Sequence, residues 1–84
     1  MKYRSRNDIS SRILVAAIGG ASKTKIMYSA YVSHDQQKEY LSILLERDLL
    51  EYVEGERLYK TTDKGMRFIK AHEKMTDLTG NMSG

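Results

Sequence analysis

Apolar positions in this chain recur at two different periods, and the change of period marks its parts. Ile9, Ile13 and Ala17 fall four residues apart with Leu14 and Ile18 beside them, which is one face of an α-helix. That helix is predicted from about Ser5 or Asn7, either of which can cap it, to Ile18, with Asp8 in its first turn. Gly19 and Gly20 stop it, since glycine takes the left-handed conformation of a helix end without steric cost. Ala21 to Thr24 reads as a loop ending in a cap. A short helix follows from Lys25 to Ala30, with Ile26, Met27 and Ala30 inward. After a turn at Tyr31 and Val32, Ser33 caps a third helix predicted to reach about Asp48. Leu41, Leu44 and Leu45 share its core face, while Gln36, Tyr40 and Ile43 are expected to point away.

Strand-forming residues then take over. Leu49 to Val53 and Arg57 to Thr61 are β-prone, and Gly55 between them is expected to supply the positive φ of a tight hairpin turn. Thr62 caps a last helix over residues 63–79, with Asp63 favourable beside its N-terminus, and residues 80–84 are expected to fray. Residues 1–79 thus form one domain. Helix, turn, helix, hairpin, helix is the layout of a winged helix-turn-helix. This is an α+β fold, mostly α, with a three-helix core, a two-stranded β wing and a C-terminal helix. Such a layout mostly serves to place one helix against double-stranded DNA.

Composition bounds the function more than it reveals it. A chain of 84 residues buries perhaps ~60–65% of its unfolded surface, enough for one small core. No cysteine is present, which excludes disulfides and thiolate metal sites. The run Ile13 to Ile18 is too short for a signal peptide or a membrane span, so a cytoplasmic, nucleoid-associated location is expected. The net charge of +3 is unevenly spread. Residues 1–32 carry six basic and one acidic side chain, residues 33–56 two and seven, and residues 57–84 six and three. A polyanion should therefore lean on the two ends and on the second strand of the wing.

Three motifs carry a resemblance. They are Thr24-Lys25-Ile26-Met27-Tyr28-Ser29-Ala30-Tyr31-Val32-Ser33, Tyr40-Leu41-Ser42-Ile43-Leu44-Leu45 and Tyr59-Lys60-Thr61-Thr62-Asp63-Lys64-Gly65. They resemble the small archaeal winged helix-turn-helix DNA-binding proteins, which include transcription regulators and Sulfolobus 10a-type chromatin proteins. There the pattern runs T-[RK]-I-M-Y-x-A-x-[LV]-S, then Y-[IL]-x-x-L, then Y-x-[LI]-T-x-K-G. The motifs cover about half of the chain in the family's order and spacing. Thr61 stands where that family has Leu or Ile, and the last helix is shorter than the coiled-coil arm of its chromatin members.

The resemblance implies that the third helix is presented to the major groove, that the start of the second helix touches phosphates, and that the wing reaches a neighbouring groove. It carries over to Ser33, His34, Gln36, Gln37 and Tyr40 on the third helix, to Lys23, Thr24 and Lys25 beside the phosphates, and to Arg57 and Lys60 on the wing. Chemistry agrees in part. A capped helix N-terminus suits a phosphate oxygen, and glutamine can pair with an adenine edge. Asp35 and Glu39 would repel phosphates, although a carboxylate can accept from cytosine N4. An outward Tyr40 and Ile43 among these acids would instead suit a protein-interaction module.

The ends of the chain offer two further features. Lys2, Arg4 and Arg6 suit either a minor-groove arm or a solvated terminus. Phe68, Ala71, Met75, Leu78 and Met82 fall at a/d heptad spacing, which makes a candidate homodimer seam, or else one wide face wrapped on the domain. Enzymatic chemistry has nothing to rest on. Gly19-Gly20-Ala21-Ser22-Lys23-Thr24 lacks the glycine a phosphate-binding loop needs before Lys-Thr. His34 and His72 have no partner ligands at metal spacing, and His72 reads as a surface helix residue. No catalytic constellation stands out, and no cofactor is expected.

Overall fold

The computed structural model describes the backbone of residues 6–83 and the side chains of residues 6–74. Helix α1 (Arg6–Ala16) is followed by α2 (Lys23–Ala30), α3 (His34–Glu46), strand β1 (Leu50–Val53), a 3₁₀ turn (Glu54–Glu56), β2 (Leu58–Thr61) and α4 (Asp63–Ser83). The strands form an antiparallel pair in which Leu50 faces Thr61, Glu51 faces Lys60, Tyr52 faces Tyr59 and Val53 faces Leu58.

Local chemistry explains most boundaries and corrects several expected ones. Asn7 lies inside α1 and does not cap it. The helix ends at Ala16, and Gly19 and Gly20 take φ of 80° and 111° to turn the chain. Ser22, not Thr24, caps α2. Its hydroxyl accepts from the Lys25 N–H at 3.2 Å, which places Thr24 inside the first turn. Ser33 caps α3 with a full capping box, since Gln36 returns a bond to the Ser33 N–H at 3.1 Å. In the wing, the expected positive φ does not fall on Gly55. The 3₁₀ turn moves the left-handed position to Arg57, at φ 54°. Helix α4 continues to Ser83, past the predicted stop near Gly80. A lone interior glycine weakens a helix by about 1 kcal/mol but does not itself end it.

All four helices and the first strand contribute to one core. Ile13 and Leu14 of α1, Ile26 of α2, Leu44 of α3 and Leu50 of β1 are fully buried, and Ile69 of α4 closes one side. Met66 and Phe68 pack partly against this cluster. Tyr40 belongs to it as well, at 9% exposure, and does not point outward as predicted. The buried stripe of α3 is Gln37, Tyr40, Leu41 and Leu44, rotated away from Leu45, which is only half-buried. The imidazole Nε2 of His72 lies 2.8 Å from the Asp8 carboxylate, so His72 links α4 to α1 and is not the plain surface residue expected.

The wing is held to the helical body through its backbone. Ala21 and Tyr59 exchange two N–H···O bonds of 2.8 Å, and the Thr61 N–H donates to the Ala17 carbonyl at 3.1 Å. The buried Thr61 hydroxyl donates to the Leu14 carbonyl. At the next junction, the Thr62 hydroxyl donates to the Asp48 carbonyl and accepts from the Gly65 N–H, while the Thr62 N–H donates to the Leu49 carbonyl. Gly65 lies so close to that carbonyl that a Cβ there would sit 2.3 Å from the Leu49 oxygen and 2.6 Å from Thr61 Cγ2.

Two glycine substitutions should therefore behave oppositely. Gly65→Ala forces backbone apart and should cost about 2–3 kcal/mol, lowering Tm by roughly 10–15 °C. Gly55→Ala meets nothing within 4 Å and has no positive φ to strain, so it should stay within about 0.5 kcal/mol of the parent. Thermal melts followed by circular dichroism check both.

Candidate nucleic-acid interface

Helix α3 turns its buried stripe inward and leaves a continuous polar face open to solvent. Ser33, His34, Asp35, Gln36, Lys38, Glu39, Ser42 and Glu46 are all exposed. Helical spacing puts Asp35, Glu39, Ser42 and Glu46 along the middle of that face, with His34 and Lys38 on one flank and Gln36 and Ile43 on the other. The outward midline of the helix is therefore acidic.

Of the residues expected to face a ligand on α3, two are withdrawn by the fold. Gln37 is 2% exposed, and its side-chain amide donates to the Lys23 carbonyl. Tyr40 is packed into the core. Neither can probe a base edge, because each is committed to holding α3 in place. Gln36 is exposed, but its Oε1 is engaged in the capping box. His34 and Ser33 stand free of the core at the start of the helix.

The cationic residues divide by element. Lys23, Thr24 and Lys25 are exposed in the first turn of α2. The Gln37 bond fastens that turn to α3 and so sets Lys23 beside it. Arg57 and Lys60 are exposed on the wing, yet they do not join this group directly. Lys60 shares its face of the ladder with Glu51, its cross-strand partner, while Tyr59 and Tyr52 occupy the opposite face. Among the described residues, no ion pair occupies Lys23, Lys25, Arg57 or Lys60.

The fold brings Lys38, Ser42 and Tyr59 to Lys23, a grouping that sequence reasoning missed. These four, with Leu41 and Leu45, line a shallow cleft of about 210 Å³ between α2, α3 and β2. The signal for Lys38 was present in outline, because it stands three and seven residues before Leu41 and Leu45 on the edge of the apolar face. Tyr59 opens the third motif of the resemblance, but neither that motif nor its strand propensity pointed to α2 or α3. Its ring lies 4.9 Å from that of Tyr52, and its hydroxyl pKa is raised, first by burial and then by the neighbouring Tyr52.

The candidate seam on α4 is split. Phe68 is half-buried against the core, Ala71 is exposed, and the side chains of Met75, Leu78 and Met82 lie outside the described residues, as do Lys2 and Arg4. No described helix is long and apolar enough to cross a membrane. No group of three or more metal-binding side chains occurs among the described residues.

A family model described as winged helix-turn-helix matches residues 3–80. No curated protein matches the chain in sequence. Among solved structures, Sso10a-2, a DNA-binding protein from Sulfolobus solfataricus, is similar with a TM-score of 0.86. The alignment covers 95% of this chain and 86% of that one at 21% identity, which speaks to the fold.

The Tyr59 environment makes an alkaline prediction. The folded state favours the protonated phenol, so this contribution is complete below the ordinary tyrosine value of 10.0 and is lost as pH rises through the higher folded value. Tyr59→Phe should leave neutral-pH stability little changed and make the alkaline fall in stability shallower. Urea melts repeated from pH 8 to pH 11 measure the difference.

Proposed function

The chain belongs to the winged helix-turn-helix family, and on that premise we propose that it binds double-stranded DNA. In this reading α3 enters the major groove, and Lys23 and Lys25 at the start of α2 neutralise phosphates, with Arg57 and Lys60 of the wing doing so on a neighbouring turn. The observation that carries it is the exposed polar face of α3, held at a fixed angle by the Gln37–Lys23 bond with unpaired lysines beside it. The description of Sso10a-2 as a DNA-binding protein supports the same reading by likeness of fold.

His34 and the side-chain amide nitrogen of Gln36, at the exposed N-terminal end of α3, are the groups left to probe base edges, since the Gln36 Oε1 is held by the capping box. The modest net charge and the acidic midline of α3 favour a site-selective transcription regulator over a uniform chromatin coat. The nucleoid is where such a protein would work. Dimerisation through α4, with Ala71, Met75 and Leu78 on the seam, would pair two reading helices and raise affinity. The acidic midline also favours a second reading, an interaction module for a basic protein segment, but burial of Tyr40 removes the aromatic anchor that such a module would use.

Fluorescence anisotropy with a mixed-sequence duplex tests the proposal. If four to six phosphates are neutralised per subunit, log affinity should fall with log salt at a slope of about −4 to −5. Lys23→Glu with Lys25→Glu should weaken binding more than tenfold, and a slope near zero would remove the clamp. Sedimentation equilibrium of the parent and of Leu78→Glu reads the seam: a dimer that becomes a monomer supports it, and a parent that is monomeric at every concentration refutes it.

A further inference from the structure

The cleft lined by Lys23, Lys38, Ser42, Tyr59, Leu41 and Leu45 has a composition the general docking scheme does not require. Its two lysines come from different helices, and no carboxylate lines it, although α3 carries Asp35, Glu39 and Glu46. No ion pair engages either lysine among the described residues. Two lysines that line one cleft can both reach a ligand seated there, and an anion between their ammonium groups would offset the repulsion of like charges. Ser42 and Tyr59 add two hydroxyl donors. The Tyr59 hydroxyl is a neutral donor at ordinary pH, as any phenol is, and burial moves its pKa further up. Leu41 and Leu45 offer carbon surface beside these polar groups.

The cleft is also stapled in place. The Gln37 amide holds the Lys23 backbone to α3, and the paired bonds between Ala21 and Tyr59 hold β2 to the segment that leads into α2. All three walls are thus tied to one another before any ligand arrives, which lowers the ordering cost of binding. An anion with several acceptor oxygens and an attached carbon face matches this lining.

We propose that the cleft seats a sugar-linked phosphate, with Lys38, Ser42 and Tyr59 as contact residues beside Lys23. The inference rests on the DNA-binding reading for its first source, a backbone phosphate and deoxyribose of the duplex. A free nucleotide offers the same chemistry as the second source. The carboxylates on the midline of α3 do not line the seat, although Glu39 and Glu46 stand one helical turn from Ser42.

The test compares Lys38→Gln and Tyr59→Phe with a control, Lys70→Gln, at an exposed position of α4. Ser42→Ala replaces Tyr59→Phe if a thermal melt shows that the latter is unfolded. Against a mixed-sequence duplex, Lys38→Gln should weaken binding roughly 3–10-fold and reduce the salt slope by about one. Tyr59→Phe should weaken it roughly 2–5-fold at unchanged slope, because it removes a neutral donor. Lys70→Gln should stay within about twofold. If Lys38→Gln and Tyr59→Phe match the parent while Lys23→Glu with Lys25→Glu does not, the seat is overturned and the DNA-binding reading stands. If the parent itself fails to bind duplex, that reading falls, and titration with 2′-deoxyadenosine 5′-monophosphate decides the seat. Saturable amide shifts at Lys38, Ser42 and Tyr59 that vanish in Lys38→Gln keep it for a free nucleotide, and a flat titration overturns it.

Discussion

Strand β2 is captured by the C-terminal end of a helix, and the rest of the molecule is arranged around that capture. Past Ala16 the chain tightens, with the Ala17 N–H donating to the Leu14 carbonyl and the Gly20 N–H to the Ala17 carbonyl, and each of these two oxygens has a second lone pair to offer. The Thr61 N–H takes the Ala17 carbonyl, the Thr61 hydroxyl takes that of Leu14, and Ala21 pairs with Tyr59 just beyond the glycine turn. A two-stranded hairpin is at best marginal alone in water. Here it becomes part of the helical body, and the start of α4 and one wall of the cleft follow from where it docks. Thr61 stands in place of the Leu or Ile of the family pattern, and its hydroxyl is satisfied in a buried position by the Leu14 carbonyl.

A second constraint fixes α3. Gln37 sits in the middle of the buried stripe, where an aliphatic residue would pack as well but could not reach the Lys23 carbonyl. A buried amide must find partners, and each wrong placement of α3 against α2 would leave it without one. The angle between the two helices therefore depends on a polar contact in an otherwise apolar interface. A basic residue at the start of α2 and the polar face of α3 are presented together as a result.

What the sequence disclosed followed from local physics. The capping box of Ser33 and Gln36, the left-handed pair Gly19 and Gly20, and the Thr62 cap each involve residues within a few positions of one another, and each was legible. The corrections came from contacts between distant segments. Tyr40 read as outward because Leu45 drew the inferred core face toward itself, and only packing against the body rotates that face, whereas Gln37 was assigned to the ligand side by the resemblance alone. Ser22 outcompeted Thr24 as a cap because Ala21 pairs with β2, and so the chain is still extended at Ser22 when the helix begins. His72 gained Asp8 as a neighbour only once α4 was folded back on α1. The cleft shows the same limit, since Lys23, Lys38 and Tyr59 are separated along the chain and no spacing rule joins them.

The charges of the proposed complex divide by position. Phosphates lie along the rims of the major groove, and base edges lie at its floor. A helix entering that groove meets phosphates on its flanks and bases along its midline. On α3 the midline carries Asp35, Glu39 and Glu46, whereas Lys38 and the neighbouring Lys23 stand to one side. Attraction therefore has to come from the flanks, and the midline acts against any approach that leaves α3 facing the backbone. Carboxylates cost least opposite amino groups of cytosine or adenine and most opposite phosphate, so the same acids that lower affinity for a misaligned duplex raise the penalty for being out of register. An interface built this way depends on its lysines for binding at all, and on its acids for rejecting the wrong pose.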